Sequence, residues 1–362
     1  MDFSLTFLLT LIYSGLVFDF AKILRLPKIA FGFGKDVALD WGSRYCYVWT
    51  YKTGFRSYLS AVWTDDKDQI KAWGNANQAS LTRYKSQNLI KNGYLTDFKI
   101  CISYIKHLIS DLVDAVELVK PTAWIAVSTE AHRSEIEGME FVLSKAGFGK
   151  INFVNQNLAL ALHHGFDFKQ SKTQTMLHFG QQQTLLSTIS PGGFIDQKNY
   201  NFGAQNIDVI IENYIRNVYR LSVASSDIES LKSLLNPNKP KTQIWGRDML
   251  SDRIKNVELD YGEIWNQVKP VIDNLTDLIK DYIQGLPDEI INDLVDNGIL
   301  ISGGGVMFGR ICDYLQIKLN INLFIDPDPR TAIISGLSQI IENQEKYLLS
   351  EFAWQSEQAP KS

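Results

Sequence analysis

GILISGGGVMFGR, residues Gly298–Arg310, decides how the rest of the chain is read. Ile299, Leu300 and Ile301 are apolar or β-branched and read as a short buried strand. Gly303, Gly304 and Gly305 follow at once, and a helical pattern is expected from Val306 to about Lys318, with Met307, Ile311, Leu315 and Leu319 on one face. Three glycines between strand and helix admit φ > 0 and let another molecule approach with no Cβ in the way. The helix that follows offers unpaired N–H groups, a seat for a nucleotide's phosphates or ribose. A tight β–α turn with no ligand satisfies the same residues, so the neighbouring motifs have to decide.

At 362 residues the chain has room for two domains, and 45% hydrophobic with 21% charged residues is ordinary for a globular protein. A net charge of -4 argues against a nucleic-acid partner, which calls for a basic face. Cys46, Cys101 and Cys312 are far apart and odd in number, so neither a disulfide framework nor a zinc site is indicated, as befits a reducing cytoplasm. The five histidines form no HxxxH or HExxH pattern. His163 and His164 are adjacent and point to different helix faces, so a shared metal is not expected.

Residues 3–18, FSLTFLLTLIYSGLVF, carry no charge. They fall short of the roughly 20 apolar residues of a comfortable span, and no basic region precedes them as in a signal peptide. Lys22, Arg25 and Lys28 follow, the sign expected beside an anionic cytoplasmic leaflet. A membrane-seated anchor is the preferred reading, and a buried N-terminal helix the alternative.

From Asp36 strands and helices alternate. Two strands joined at Gly42–Ser43 are expected, then a third from Gly54 to Trp63 and a polar insertion over Lys67–Asn92. A helix over Phe98–Leu118 should bury Ile102, Ile105, Ile109, Leu112 and Val116. Strands at Trp124–Val127 and Ile151–Val154 flank a helix at Ala131–Ala146, and another helix opens at Leu158. The pattern restarts at Thr175 with a hairpin, helices at Ile207–Arg220 and Asp227–Leu235, and a long helix from Tyr261 to Gln284. This alternation indicates an α/β protein with largely parallel strands, duplicated at the level of architecture.

LDWGS at Leu39–Ser43, GYLTDF at Gly93–Phe98, ENYIRNVY at Glu212–Tyr219 and IWGRDML at Ile244–Leu250 occur in an order that, with DNGILISGGGVMF at Asp296–Phe308 and DPDPRTAIISGL at Asp326–Leu337, resembles bacterial actins of the MreB family. The resemblance spans nearly all of Asp36–Asn343. It implies an actin-like two-domain α/β fold, each domain a mixed five-stranded sheet flanked by helices, with a nucleotide cleft between them. Domain I would cover 31–172 with a small subdomain at about 64–92, and domain II 173–338 with a small subdomain at about 221–262. Residues 1–30 would be the apolar segment and 339–362 a C-terminal helix and tail.

The resemblance also implies ATP with Mg²⁺ as cofactors. Asp40, Gly42 and Ser43 would form a first phosphate hairpin, and Gly180 and Thr184 belong to a second, with Asp40 holding hydrated Mg²⁺. Gly203, Glu229, Lys232 and the triplet Gly303, Gly304 and Gly305 would hold adenosine. Gln156 falls where the water-orienting residue would be, and an amide can orient water without acting as a base. Against the family pattern, the second hairpin reads His178-Phe-Gly-Gln-Gln-Gln-Thr184. An imidazole replaces a metal carboxylate, and Gln181 and Gln182 replace glycines at a cost of roughly 1 kcal/mol each if those positions need φ > 0. Arg44 is left to bind a phosphate or to lie solvated on its strand. The adenosine residues are kept while the phosphate side departs, so ATP binding should be weak or absent, and the chain at most a weak ATPase.

The function expected is that of a divergent MreB-like protein polymerising with itself into filaments. These would lie in the cytoplasm on the inner face of the cell membrane, serve cell shape or wall synthesis, and meet membrane proteins of those processes. Filament contacts should fall in Lys67–Asn92 and Asn236–Tyr261, which contains Trp245. The alternatives are a non-polymerising actin-like membrane adaptor and a superfamily ATPase or small-molecule kinase.

Overall fold

Asp36–Trp41 (β1) is apolar at four of its positions and buried at all but the first, as a strand covered on both faces must be. Its successors are Tyr45–Thr50 (β2) and Gly54–Leu59 (β3), joined to it as an antiparallel meander with Asp40 opposite Tyr47 and Trp41 opposite Cys46. These strands belong to a computed structural model that describes residues 36–74, 84–91, 93–112, 120–169, 172–234 and 237–343. The apolar segment 3–18, most of the tail, and parts of the expected insertion and of the Phe98–Leu118 helix lie outside them. No helix among the described residues is long and apolar enough to cross a membrane.

The expected strand Gly54–Trp63 is two strands. Ala61–Thr64 (β4) leaves for a small sheet with Ile70–Ala72 (β5) and Lys85–Asn88 (β6). Ser60 is the corner: its N–H donates to the Arg44 carbonyl while its own carbonyl accepts from Leu89 N–H, so the backbone changes partners there. A two-stranded ribbon follows, Ile90–Lys91 (β7) with Tyr94–Leu95 (β8).

Asp97 then caps Phe98–Leu112 (α1), its carboxylate accepting from the amides of Lys99 and Ile100. The buried face is Cys101, Tyr104, Ile105, Leu108 and Leu112, one position round from the expected stripe, because the Tyr104 hydroxyl reaches the Leu59 carbonyl. Thr122–Val127 (β9), Arg133–Ala146 (α2), Lys150–Asn155 (β10) and Gln156–His163 (α3) complete the first half. Gly147 ends α2 with φ 125, a value open to glycine alone at little cost.

The second half opens with Gln174–Phe179 (β11), Thr184–Ser190 (β12) and Gly193–Tyr200 (β13). Ala204–Tyr219 (α4), Leu221–Ser222 (β14) and Ser225–Leu234 (α5) come next. Lys241–Asp248 (β15) and Ile254–Asp260 (β16) form a long hairpin that pairs with β14. Tyr261–Gln284 (α6), Asp288–Asn297 (α7) and Ile299–Ser302 (β17) lead to the glycine turn. The helix expected from Val306 is in two pieces, a 3-10 turn at Gly304–Met307 and Ile311–Leu319 (α8), because Gly309 takes φ 50 between them. Leu323–Ile325 (β18) and Ala332–Glu342 (α9) close the described chain.

Two five-stranded sheets result, ordered β10-β9-β1-β2-β3 and β18-β17-β11-β12-β13. In each, β-meander pairs are antiparallel and the two added strands are parallel, so the expectation of largely parallel strands gives way to mixed sheets. Short turns can only join antiparallel neighbours, whereas a helical crossover returns the chain parallel. The same ladder twice over is the architectural duplication.

Each sheet has its own apolar core. A further core gathers Ala38, Trp49 and Trp124 from the first sheet with Met176, Leu185 and Ile189 from the second around α3 and α9. Those two helices cross so closely that a Cβ on Gly336 would lie 1.8 Å from the Ala159 carbonyl oxygen. This tightly packed helix pair lies in the core shared by the two halves.

Candidate functional site

A cavity of about 310 Å³ is lined by both hairpins, by the loop after β9 and by α5. β1 delivers Asp40 into it. Burial pushes the Asp40 carboxyl up to about 7, so a divalent cation beside it would hold it charged. Gly42 closes the turn by donating its N–H to the Tyr45 carbonyl at 2.9 Å, and Ser43 lies beside it on the lining. Gln156 is the first residue of α3 and also reaches the cavity.

In the second hairpin Gly180 donates to the Gln183 carbonyl at 2.9 Å. His178 faces Ser302, Nδ1 to Oγ 2.9 Å, and burial lowers its pKa to about 4, so the ring is neutral at physiological pH. Gln181 and Gln182 do not have positive φ, and the expected strain is absent. Their amides instead donate to Asp208 and Gln205 of α4, at 2.8 and 2.7 Å. The Thr184 hydroxyl is fully buried and donates to the Phe202 carbonyl at 2.6 Å, beneath the cavity rather than on it.

The residues expected to hold adenosine are engaged with the protein itself. Glu229 on α5 accepts from Arg44 Nη2 at 2.9 Å and from the Tyr45 hydroxyl at 2.9 Å, and Arg330 Nη2 lies 3.4 Å away. Burial pushes the Glu229 carboxyl up, but the hydrogen bond and charge of Arg44, with Tyr45 and Arg330, outweigh it and hold the group below its ordinary range. Arg44 and Tyr45 come from the first hairpin and Glu229 from the other half, so this cluster bridges the cleft. Lys232 is paired with Asp208 at 2.5 Å.

Two glycines of the triplet are required by packing rather than by a ligand. A Cβ on Gly303 would lie 2.3 Å from the Phe179 carbonyl, and one on Gly305 would lie 2.4 Å from the Phe179 ring. Gly304 alone of the three meets only ordinary contacts, with Arg330. Gly203 likewise serves packing, since its Cβ would strike the Gln181 carbonyl at 2.5 Å.

Tyr45, Asp208 and Arg330 carry no sequence signal for this place, because their partners are remote along the chain. Arg330 Nε is buried without a hydrogen-bond partner, a donor fit for an anionic ligand. Among the described residues no trio of metal-ligating side chains lies in the cleft, whose lining carboxylates are Asp40, Glu130, Glu135 and Glu229. The one such trio is elsewhere and corrects the expectation for the paired histidines: His163 and His164 both turn toward Asp326.

Comparison with known proteins gives the architecture relatives. Residues 34–348 match the family model described as MreB/Mbl protein. The cell shape-determining protein Mbl of Bacillus subtilis (strain 168) is 21% identical over 325 residues, which is 87% of this chain and 98% of that protein. The cell shape-determining protein MreB of Escherichia coli (strain K12) is 19% identical over 260 residues, 70% of this chain and 75% of its own. MreB 5 of Spiroplasma citri bound to AMPPNP superimposes with a TM-score of 0.79 at 21% identity, covering 87% of this chain and 98% of that one. The MamK double helical filament gives 0.71 at 13% identity, over 85% and 98% of the two chains. The fold is actin-like, and the chain belongs to the MreB/Mbl family.

Proposed function

We propose that this chain is an actin-like cytoskeletal protein that assembles into filaments on the inner face of the cell membrane, serving cell shape or wall synthesis, with nucleotide binding and hydrolysis weakened. Relatives named for determining cell shape, and a structural neighbour described as a double helical filament, support the cytoskeletal part. Neighbours bound to AMPPNP and ADP support a nucleotide cleft. In that cleft Asp40, Gly42, Ser43 and Gly180 would face phosphates and hydrated Mg²⁺, and Glu229, Lys232 and Gly304 the adenosine. Bound ATP supplies a cleavable phosphate bond, which Gln156 serves only by orienting water.

The observation that carries the weakened binding is the Arg44–Glu229–Tyr45 bridge. Adenosine can claim Glu229 only by displacing a charge-assisted hydrogen bond, itself stronger than a neutral one. Filament growth needs two different surfaces meeting head to tail. One is proposed at the β15–β16 hairpin, where Trp245, Leu250 and Ile254 are 60%, 86% and 79% exposed. The segment 3–18 would hold the filament to the membrane.

Electron microscopy and sedimentation of purified protein, with and without Mg·ATP and anionic vesicles, test this reading. Filaments are expected, and Leu250→Asp with Ile254→Asp should abolish them while leaving a folded monomer. Protein that stays monomeric at high concentration with nucleotide and lipid present would instead favour a non-polymerising membrane adaptor.

A further inference from the structure

α3 ends at His163, and His164 caps it with φ -77 and ψ 8. This turn brings neighbouring imidazoles to one place, their ring centroids 5.0 Å apart and edge to face. Asp326, which follows β18, meets them from the second sheet. Its Oδ2 lies 2.5 Å from His163 Nε2 and 4.0 Å from His164 Nδ1. One donor atom from each of the three side chains falls within 4.8 Å of the others. The His164 and Asp326 side chains are only 10% and 3% exposed. The other nitrogen of each ring, His163 Nδ1 and His164 Nε2, is buried with no hydrogen-bond partner, so it is the nitrogens facing Asp326 that are placed to share an ion.

We propose that His163, His164 and Asp326 form a binding site for a divalent transition-metal ion, with zinc the best match, that fastens the end of α3 to domain II. Two imidazoles and one carboxylate are the donors of open zinc and iron sites, whereas magnesium and calcium favour oxygen alone. Donor atoms around a tetrahedral zinc ion stand about 3.4 Å apart, given bonds of about 2.0–2.1 Å. The present spacings lie on either side of that value, so small side-chain rotations converge them.

The carboxylate is already aimed. Its other oxygen, Oδ1, accepts from the Asp328 N–H at 2.8 Å, the kind of outer hydrogen bond that orients a metal ligand. None of the three residues lines the nucleotide cleft. The ion would act instead on the helix pair α3–α9 in the core shared by the halves, tying its first member to the strand end beyond β18.

The test uses the full chain, stripped with chelator and free of nucleotide. Calorimetric titration with Zn²⁺ should show one saturable site, and Co²⁺ should give a visible absorption band of a low-coordinate nitrogen and oxygen site. A tenfold excess of Mg²⁺ should not compete. Asp326→Asn keeps the Oδ1 acceptor for Asp328, and His164→Gln is a second variant on another element. Each should weaken Zn²⁺ binding by more than the ~10–100-fold typical of losing an outer-shell partner, while His132→Gln, an exposed histidine, leaves it unchanged. Absence of a saturable site, or Zn²⁺ affinity indifferent to both variants while circular dichroism shows them folded, would leave a His–Asp hydrogen bond only and overturn the proposal.

Discussion

Removing Arg44 should loosen the protein and tighten nucleotide binding at the same time. Glu229 takes its shortest contacts from Arg44 Nη2 and Tyr45, both at 2.9 Å, with Arg44 Nε at 3.3 Å. The Arg44 and Glu229 side chains are 25% and 21% exposed, so water screens the pair in part. A hydrogen bond to a charged group contributes about 1.5–3 kcal/mol, and partial exposure brings the expected loss in Arg44→Ala to about 1–2 kcal/mol. Tyr45 and Arg330 remain to keep Glu229 from being stranded.

The same loss reappears as affinity, because adenosine no longer has to displace Arg44. At about 1.4 kcal/mol per tenfold, ATP should bind roughly tenfold more tightly. Urea denaturation measures the first quantity and a fluorescent ATP analogue the second. Equal or weaker nucleotide binding in a destabilised Arg44→Ala variant would refute the competition between bridge and nucleotide. Acid offers an independent check on the sign. Glu229 titrates below its ordinary value when folded, so its contribution is present above the unfolded pKa near 4.5 and fades as pH falls through the lower folded value. The stability gap between wild type and Glu229→Gln should therefore shrink below about pH 4.5.

Gly336→Ala should destabilise the whole protein by about 1–3 kcal/mol or more, since its Cβ would need the space of the Ala159 carbonyl 1.8 Å away; a denaturation midpoint unmoved by the change would contradict the close α3–α9 crossing. His178→Asp puts a further carboxylate on the cavity lining that holds Asp40, and nucleotide affinity should become more dependent on Mg²⁺, read from titrations with and without EDTA. Deleting residues 1–28 should release the protein from anionic vesicles in a flotation assay with the α/β core still folded, whereas continued flotation would place the membrane contact elsewhere.

Much of the fold is legible along the chain because its causes are local. The strand Ile299–Ser302, the run Tyr261–Gln284 and the capped start at Asp97 depend on side-chain period and on hydrogen bonds reaching only a few residues. The mixed sheets, each built as a meander with two added strands, followed from the resemblance rather than from periodicity, which overstated the parallel share. The break at Gly309 was not legible, since only the backbone shows its positive φ.

The candidate site divides the same way. Residue identities place Asp40, Gly42 and the glycine triplet at hairpins and turns and Glu229 and Lys232 on a helix, but not what each one touches. Arg44 and Glu229 are 185 residues apart, and their pairing exists only because the two halves are brought face to face. Likewise Gly303 is glycine on account of Phe179 in a neighbouring strand, and His163 meets Asp326 across 163 residues. Sequence by itself determined the elements and the chemical types present, since those follow from short-range propensity and period. Which charges meet across the cleft was decided by the tertiary packing of the two halves, because electrostatic and steric partners are set by distance in space and not along the chain.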